Sequence, residues 1–185
     1  MSTQETKYGC LMLKLNIPKW DTLLTAIKPI DLWTKLPGFG LELEPHVTIL
    51  YGFKNSVSPL DIKDCVYAIK NPIEVKLKSI SFFEAPTFDV LKFDVDSDKL
   101  HKLHKIFLKF PNEQTYPIYS PHITVAYVKK GVGKSYQRIL ENPIRTKSNT
   151  FIYSESNGKK YIWKNDKVIP IRNHDKFYSL PGGRI

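Results

Sequence analysis

Cysteine is scarce in this chain. Cys10 and Cys65 are the only two in 185 residues, and they are too far apart in sequence to form a CxxC metal clip. One falls in a strand-like run and the other in a helix-like one. With no disulfide framework on offer, both are expected to be reduced thiols packed in a core, in a cytosolic setting. Long apolar runs are missing as well: no stretch approaches the roughly 18 residues of a membrane helix. The first seven residues, Met-Ser-Thr-Gln-Glu-Thr-Lys, have nothing of the apolar character of a secretion signal. Low-complexity segments are lacking too. A soluble cytoplasmic protein with no membrane association is therefore expected. What is in excess is positive charge. Lys and Arg number 28 against 18 Asp and Glu, a formal net charge of +10. Such a surplus attracts polyanions, which favours a nucleotide or nucleic-acid ligand, although a generally basic surface satisfies the count equally. The length fits one compact domain, or two small lobes that share an interface.

Along the chain the apolar spacing lays out a series of elements. Residues 7–17 read as a strand, and Pro18 opens a helix with Trp20, Leu23, Leu24 and Ile27 on one stripe. A loop with Pro29, Pro37, Gly38 and Gly40 leads to a strand from His46 to Tyr51. Ser58-Pro59 starts a helix in the cap-then-proline order, with Leu60, Ile62, Val66 and Ile69 as its apolar stripe. A strand from Ile73 to Phe83 follows.

The pattern then starts again. Phe88 to Val95 reads as a strand, and Asp96-Ser97 caps a helix through Phe110 that buries Leu100, Leu103, Phe107 and Phe110. A loop with Pro111 and Pro117 leads to the strand from His122 to Val128. Gly131 and Gly133 mark a turn, residues 134–141 a short helix, and strand-like sequence returns after Pro143. The expected architecture is α+β: two pseudo-symmetric lobes of antiparallel sheet with helices outside, in a single domain. Lobe 1 is expected over about residues 7–84 and lobe 2 over about 87–155. A C-terminal hairpin and tail occupy 151–185. The hairpin turns at Asn157-Gly158, the dipeptide that favours type I′ geometry. Lys167 to Ile171 would add a strand, and the tail from Arg172, with its lone His174, would pack loosely.

The repeat carries chemistry. Pro45-His46-Val47-Thr48-Ile49-Leu50-Tyr51 and Pro121-His122-Ile123-Thr124-Val125-Ala126-Tyr127 match at Pro, His, Thr and Tyr, with aliphatic residues at most of the positions between. Strand side chains alternate, so His46 and Thr48 share one face while Val47, Ile49 and Tyr51 share the other. The second copy repeats this. If a pseudo-dyad brings the two histidine faces together, two imidazoles and two hydroxyls line one cleft. Displacement at phosphorus needs a base on the attacking oxygen and an acid on the leaving one. Two imidazoles can hold opposite protonation states near neutrality. The threonine hydroxyls can donate to the non-bridging oxygens. The scheme calls for no metal and no cofactor, and neither an HExxH nor an acidic cluster accompanies the histidines. His101 and His104, spaced i, i+3 on a helix, could hold a metal in principle. Lysines 99, 102, 105 and 109 surround them, and a solvated basic face is expected there instead.

The doubled His-x-Thr frame resembles the two-histidine (2H) phosphoesterase superfamily, which includes LigT-like 2′-5′ RNA ligases and cyclic phosphodiesterases. The wording Glu44-Pro45-His46-Val47-Thr48-Ile49-Leu50-Tyr51-Gly52 is similar to a phage-encoded branch, the anti-CBASS enzymes that degrade cyclic oligonucleotide messengers of bacterial immunity. The resemblance spans about residues 7–155 and implies a LigT-like fold, with His46 and His122 as the acid–base pair. It also implies Thr48 and Thr124 as phosphate-binding hydroxyls, a cyclic oligonucleotide substrate cut at 3′–5′ bonds, and the cytosol of an infected cell as the site of action. Which histidine is acid stays open, because a symmetric motif marks both alike. No stable protein partner is expected, and a monomer suffices. Base contacts would need aromatic platforms. Tyr8, Trp33 and Trp163 are candidates for stacking, although core or rim packing suits each of them as well, and Glu155 is a candidate for a base edge or else a solvated turn residue. Phe39, Tyr116 and Tyr119 occupy the loops before the two motifs. Two rival readings keep the site: RNA-end processing of 2′,3′-cyclic phosphates or 2′-5′ links, and a non-catalytic nucleotide sponge.

Overall fold

The architecture was read from a computed structural model that describes residues 8–165 except 115 and 117. The expected strand at Lys167–Ile171, the tail and His174 lie outside the described residues. Strand β1 (Gly9–Lys14) alternates as expected, with Leu11 and Leu13 buried and Cys10, Met12 and Lys14 on its other face. Helix α1 (Trp20–Leu24) is short. Ile27 is buried but lies in the turn beyond the helix, and the Trp20 indole donates to the Glu42 carbonyl. Strand β2 spans His46–Phe53. Helix α2 (Pro59–Tyr67) begins as read: the Ser58 hydroxyl accepts from the Leu60 amide, and Ile62 and Val66 are fully buried. Leu60, expected in the same stripe, is 66% exposed. It precedes Ile62 by two positions, which is about 200° around the helix and so faces away from the core.

Strands β3 (Ile73–Glu84) and β4 (Phe88–Asp96) form a hairpin, followed by helix α3 (Asp98–Phe107). Leu100, Leu103 and Phe107 are buried as expected. Ser97 does not cap α3 with its side chain; its hydroxyl donates to the Glu74 carbonyl at 2.7 Å instead. Strands β5 (His122–Lys129), β6 (Arg138–Ser148), β7 (Thr150–Ser154) and β8 (Lys160–Lys164) follow among the described residues.

Two four-stranded antiparallel sheets result, in the orders β2-β1-β7-β8 and β5-β4-β3-β6. The α+β class with two antiparallel lobes is therefore the fold. The orders superpose position by position: β1 on β4, β2 on β5, β7 on β3, β8 on β6. The lobes are not consecutive in sequence, however. The strand from Ile73, expected to close lobe 1, pairs between β4 and β6, and the C-terminal hairpin supplies half of the first sheet rather than an extension. Only residues 85–87 separate β3 from β4, and a short link between antiparallel strands favours pairing between chain neighbours.

Two further readings are corrected. Residues 134–141 are not a helix: Gly133–Tyr136 is one 3₁₀ turn, and Arg138 already belongs to β6. An isolated helix of eight residues is marginal in water, whereas a strand here satisfies the open edge of β3. β6 is itself interrupted. Ile144 lies opposite Leu77 and Ile139 opposite Ser79, so residues 140–143 bulge out, with Pro143 where its missing amide costs nothing. The Asn157-Gly158 turn is not type I′, which needs positive φ at both residues. Gly158 has φ +84 and Asn157 does not. The Glu155 carbonyl accepts from Gly158, and the Glu155 amide donates to Lys159, giving a type I turn closed by a glycine bulge.

Candidate active site

Each histidine opens an equivalent strand, and each strand carries an extra residue at the same place. Leu11 pairs with Leu50 and Met12 with Thr48, which leaves Ile49 unpaired. Leu91 pairs with Ala126 and Lys92 with Thr124, which leaves Val125 unpaired. A bulge of this kind shifts the alternation by one. His46, Thr48 and Tyr51 therefore share a face, while Val47, Ile49 and Leu50 are buried beneath it; Tyr51 is 39% exposed. The expectation that Tyr51 packs with Val47 is thus overturned, and Tyr127 is turned in the same way. Tyr8 meets Tyr51 edge-on at 6.0 Å, and Tyr127 packs against Phe39 and Phe88.

The imidazoles are held alike. His46 Nδ1 lies 2.8 Å from the Glu44 carbonyl and His122 Nδ1 lies 2.8 Å from the Ser120 carbonyl. A carbonyl oxygen can only accept, so Nδ1 carries the proton in both rings. Each Nε2 is then the atom free to take or give one. The two rings are near enough for the charge of His46 to bear on His122.

The loops that lead into the histidine strands cross over to the opposite lobe. From the loop before His46, Trp33 and Glu42 donate amides to the Tyr127 and Val125 carbonyls, and the Tyr127 amide donates to Gly40. From the loop before His122, the Glu113 amide donates to the Gly52 carbonyl and the Tyr119 hydroxyl to the Thr48 carbonyl. His104 adds Nδ1 to the Ile49 carbonyl at 2.7 Å and stacks flat on Tyr119 with ring centres 4.0 Å apart. His104 is thus neither a solvated helix residue nor a metal ligand paired with His101; it satisfies the bulged backbone of β2. Among the described residues, no three His, Cys, Asp or Glu side chains gather as a metal site would need.

The two halves differ in what lies beside the motif. Next to His46, Lys14 pairs with the Glu44 carboxylate at 3.1 Å, which holds that carboxyl below its usual range. Next to His122 and Thr124 lies a polar cluster around the buried Lys92. Lys92 reaches the Ser81 hydroxyl and the Asp94 carboxylate, and Asp94 also accepts from Ser79 and Ser81. Phe83 stands edge-on to His122 at 5.0 Å. Burial pushes the His122 imidazole below its ordinary pKa. The cluster was not anticipated, although a lone lysine between Leu91 and Phe93 in an apolar strand was its visible sign.

The candidate base contacts are placed less uniformly. Trp33 is 8% exposed and packs against Phe39 and Phe88. Trp163 is 7% exposed, opposite Phe151 on the core face and stacked on Tyr153. Both sit as packing residues. Glu155 belongs to the β7–β8 turn, where its carboxylate lies 3.4 Å from Asn157 Nδ2 and from the Tyr161 hydroxyl. It lines a cavity of about 200 Å³ with Lys54 and Asn55, at the Gly9 end of the first sheet. Tyr8 meets the histidine face through its ring, at Tyr51, whereas Trp33 reaches Tyr127 only through its backbone amide. Tyr116 is exposed, and Tyr119 is committed to the Thr48 carbonyl.

A sequence model described as the 2′-5′ RNA ligase superfamily matches residues 22–142, a span that takes in both histidine strands and the Lys92 cluster and ends before β7. No curated protein matches the chain.

Proposed function

The chain belongs to the 2′-5′ RNA ligase superfamily, and from that premise we propose that it is a metal-independent phosphodiesterase acting on the 3′–5′ bonds of cyclic oligonucleotides. The observation that carries the reading is the matched pair of imidazoles, each with Nδ1–H spent on a backbone carbonyl and Nε2 left for proton transfer. One Nε2 takes the proton of the attacking hydroxyl while the other protonates the leaving oxygen. Each positioned acid or base is worth about 10²–10⁴-fold in rate. Thr48 and Thr124, on the same faces, would donate to the non-bridging oxygens, where charge grows. The motif wording over residues 44–52 and the Tyr8–Tyr51 pair, a platform on which a base can stack, favour a cyclic oligonucleotide. An enzyme of this kind would lower the messenger concentration on which bacterial immunity depends.

The second reading, an RNA-end phosphodiesterase or 2′-5′ ligase-like enzyme, is favoured by the description of the matching family itself. Incubation in EDTA with cyclic di- and trinucleotides, 2′,3′-cyclic mononucleotides and 2′-5′-linked dinucleotides, with products read by mass, separates the two. Cleavage of the cyclic oligonucleotides is expected despite the chelator. Turnover confined to 2′,3′-cyclic ends or 2′-5′ links would establish the second reading. Tight binding of a cyclic oligonucleotide without turnover would make the protein a sponge.

A further inference from the structure

The halves of the site are most unlike at one pair of equivalent positions. Met12 on β1 lies opposite Thr48 and Lys92 on β4 lies opposite Thr124, each beside its bulge. Where the first sheet has an uncharged thioether, the second has an ammonium only 5% exposed. Lys92 Nζ donates to the Ser81 hydroxyl at 2.6 Å and to Asp94, and it stands 4.5 Å from the centre of the Phe83 ring. Phe83 in turn abuts His122. Asp94, the cross-strand neighbour of His122, divides its carboxylate among Ser79, Ser81 and Lys92.

His46 also has a lysine–carboxylate pair beside it, but one far more open to water: the Lys14 side chain is 38% exposed where that of Lys92 is 6%. Lys14 lies across from His46, but that ammonium is bound by the Glu44 carboxylate, and Glu44 also supplies the carbonyl that fixes the ring. An imidazolium beside a buried ammonium is disfavoured, whereas an exposed ion pair is screened by water.

We infer that the buried ammonium of Lys92 breaks the symmetry of the site, making His122 the general base and His46 the general acid. The chemistry rests on the phosphodiesterase reading; the electrostatic difference does not. The charged groups facing His122 are Lys92 and Asp94 from β4 and His46 from across the cleft. β3 adds only serines and Phe83. Burial and the charges of Lys92 and His46 disfavour the imidazolium, against the pull of the Ser120 carbonyl and Asp94. In the step itself, the attacking hydroxyl loses its proton to His122 Nε2 as its oxygen bonds to phosphorus. The bond to the leaving oxygen breaks, and that oxygen takes the proton of His46 Nε2. Lys92 touches neither reacting atom and is a positioning residue.

Two measurements test this. The first follows the imidazole Cε1–H signals of the ligand-free protein by NMR against pH. Lys92→Met, which installs the residue found at the equivalent position of the first sheet, is expected to raise the His122 midpoint. Lys92→Arg should leave it in place. Should Lys92→Met fail to fold, Asp94→Asn takes its part and should lower the midpoint. A His122 signal that ignores these changes in folded protein overturns the inference, whether or not any substrate is ever turned over.

The second measurement uses a ribodinucleotide whose 5′ leaving oxygen is replaced by sulfur, a leaving group that needs no acid. It should restore turnover to His46→Ala and leave His122→Ala inactive. The reverse pattern would exchange the roles and sink the assignment. If even the unaltered protein cleaves neither the oxygen nor the sulfur dinucleotide, nor any cyclic oligonucleotide, the phosphodiesterase reading fails, and the NMR result still decides the role of Lys92.

Discussion

The Tyr119 hydroxyl donates to the Thr48 carbonyl at 2.9 Å, tying the loop before the second histidine to the strand of the first. Thr48 precedes the bulged residue of β2, where the regular ladder cannot supply a donor, so a side chain from the other lobe does. Burial pushes the Tyr119 phenol far above its ordinary range, and it stays a donor at every pH of interest. Tyr119→Phe should keep the ring stacked on His104 and lose only this bond. A partly buried carbonyl left without its donor costs about 1–2 kcal/mol. Urea unfolding is expected to show a lower midpoint at unchanged slope. An unaltered midpoint would mean that water replaces the hydroxyl freely.

His104 links the same strand to pH. Burial, with the charge of His101, holds its imidazole below the ordinary pKa against the pull of the Ile49 carbonyl. Between that lowered value and about 6.5, the unfolded chain binds more protons than the folded one. Stability therefore falls as pH drops through this window and is full above it. His122 acts in the same direction. His104→Gln can still donate to Ile49 but cannot titrate. Its unfolding free energy should decline less between pH 7 and pH 5 than that of the unaltered protein. An equally steep decline would show that His104 is not a source of the acid sensitivity.

The reach of the sequence can be judged from these strands. The Pro-His-x-Thr frames could be read because strand alternation is local, and it placed each His and Thr on one face correctly. Ser58 could be read because a cap acts within three residues. Tyr51 and Tyr127 were misplaced because an extra residue in a strand shows only against its partner, and no partner is visible in a linear pattern. The exchange of β3 and β7 between sheets was hidden for the same reason: strand order is a long-range choice that apolar periodicity does not record. Residues 134–141 contain good helix formers, and the open edge of β3 overrode that preference.

Cys10 shares the histidine face, yet it should be inert. Burial pushes its thiol up to about 12, and the Thr48 hydroxyl pulls only weakly the other way. At pH 8 almost none is thiolate, the form that reacts. Iodoacetamide labelling of the native protein, located by peptide mass, is expected to leave Cys10 unmodified until denaturant is added. Rapid native labelling of Cys10 would show that this part of the face is open to water.

Gly52 is where the crossing loop presses closest to the histidine strand. It is the unpaired residue of a second bulge in β2, since Gly9 lies opposite Phe53 and Cys10 opposite Tyr51. That bulge turns Phe53 inward, where it is fully buried. The backbone adopts φ +119, and an added Cβ would stand 2.3 Å from the Glu113 carbonyl oxygen. Both the dihedral and the contact exclude a side chain. Gly52→Ala must therefore distort the bulge or push residues 111–114 away, and the segment that moves leads to Tyr119 and His122. A loss of about 3 kcal/mol is expected. Thermal unfolding should fall by roughly 6–12 °C, with the Tyr119–Thr48 bond weakened alongside it. A near-native melting temperature would show that the loop yields at little cost, and the crossing arms could not then be what holds the two histidine strands in register.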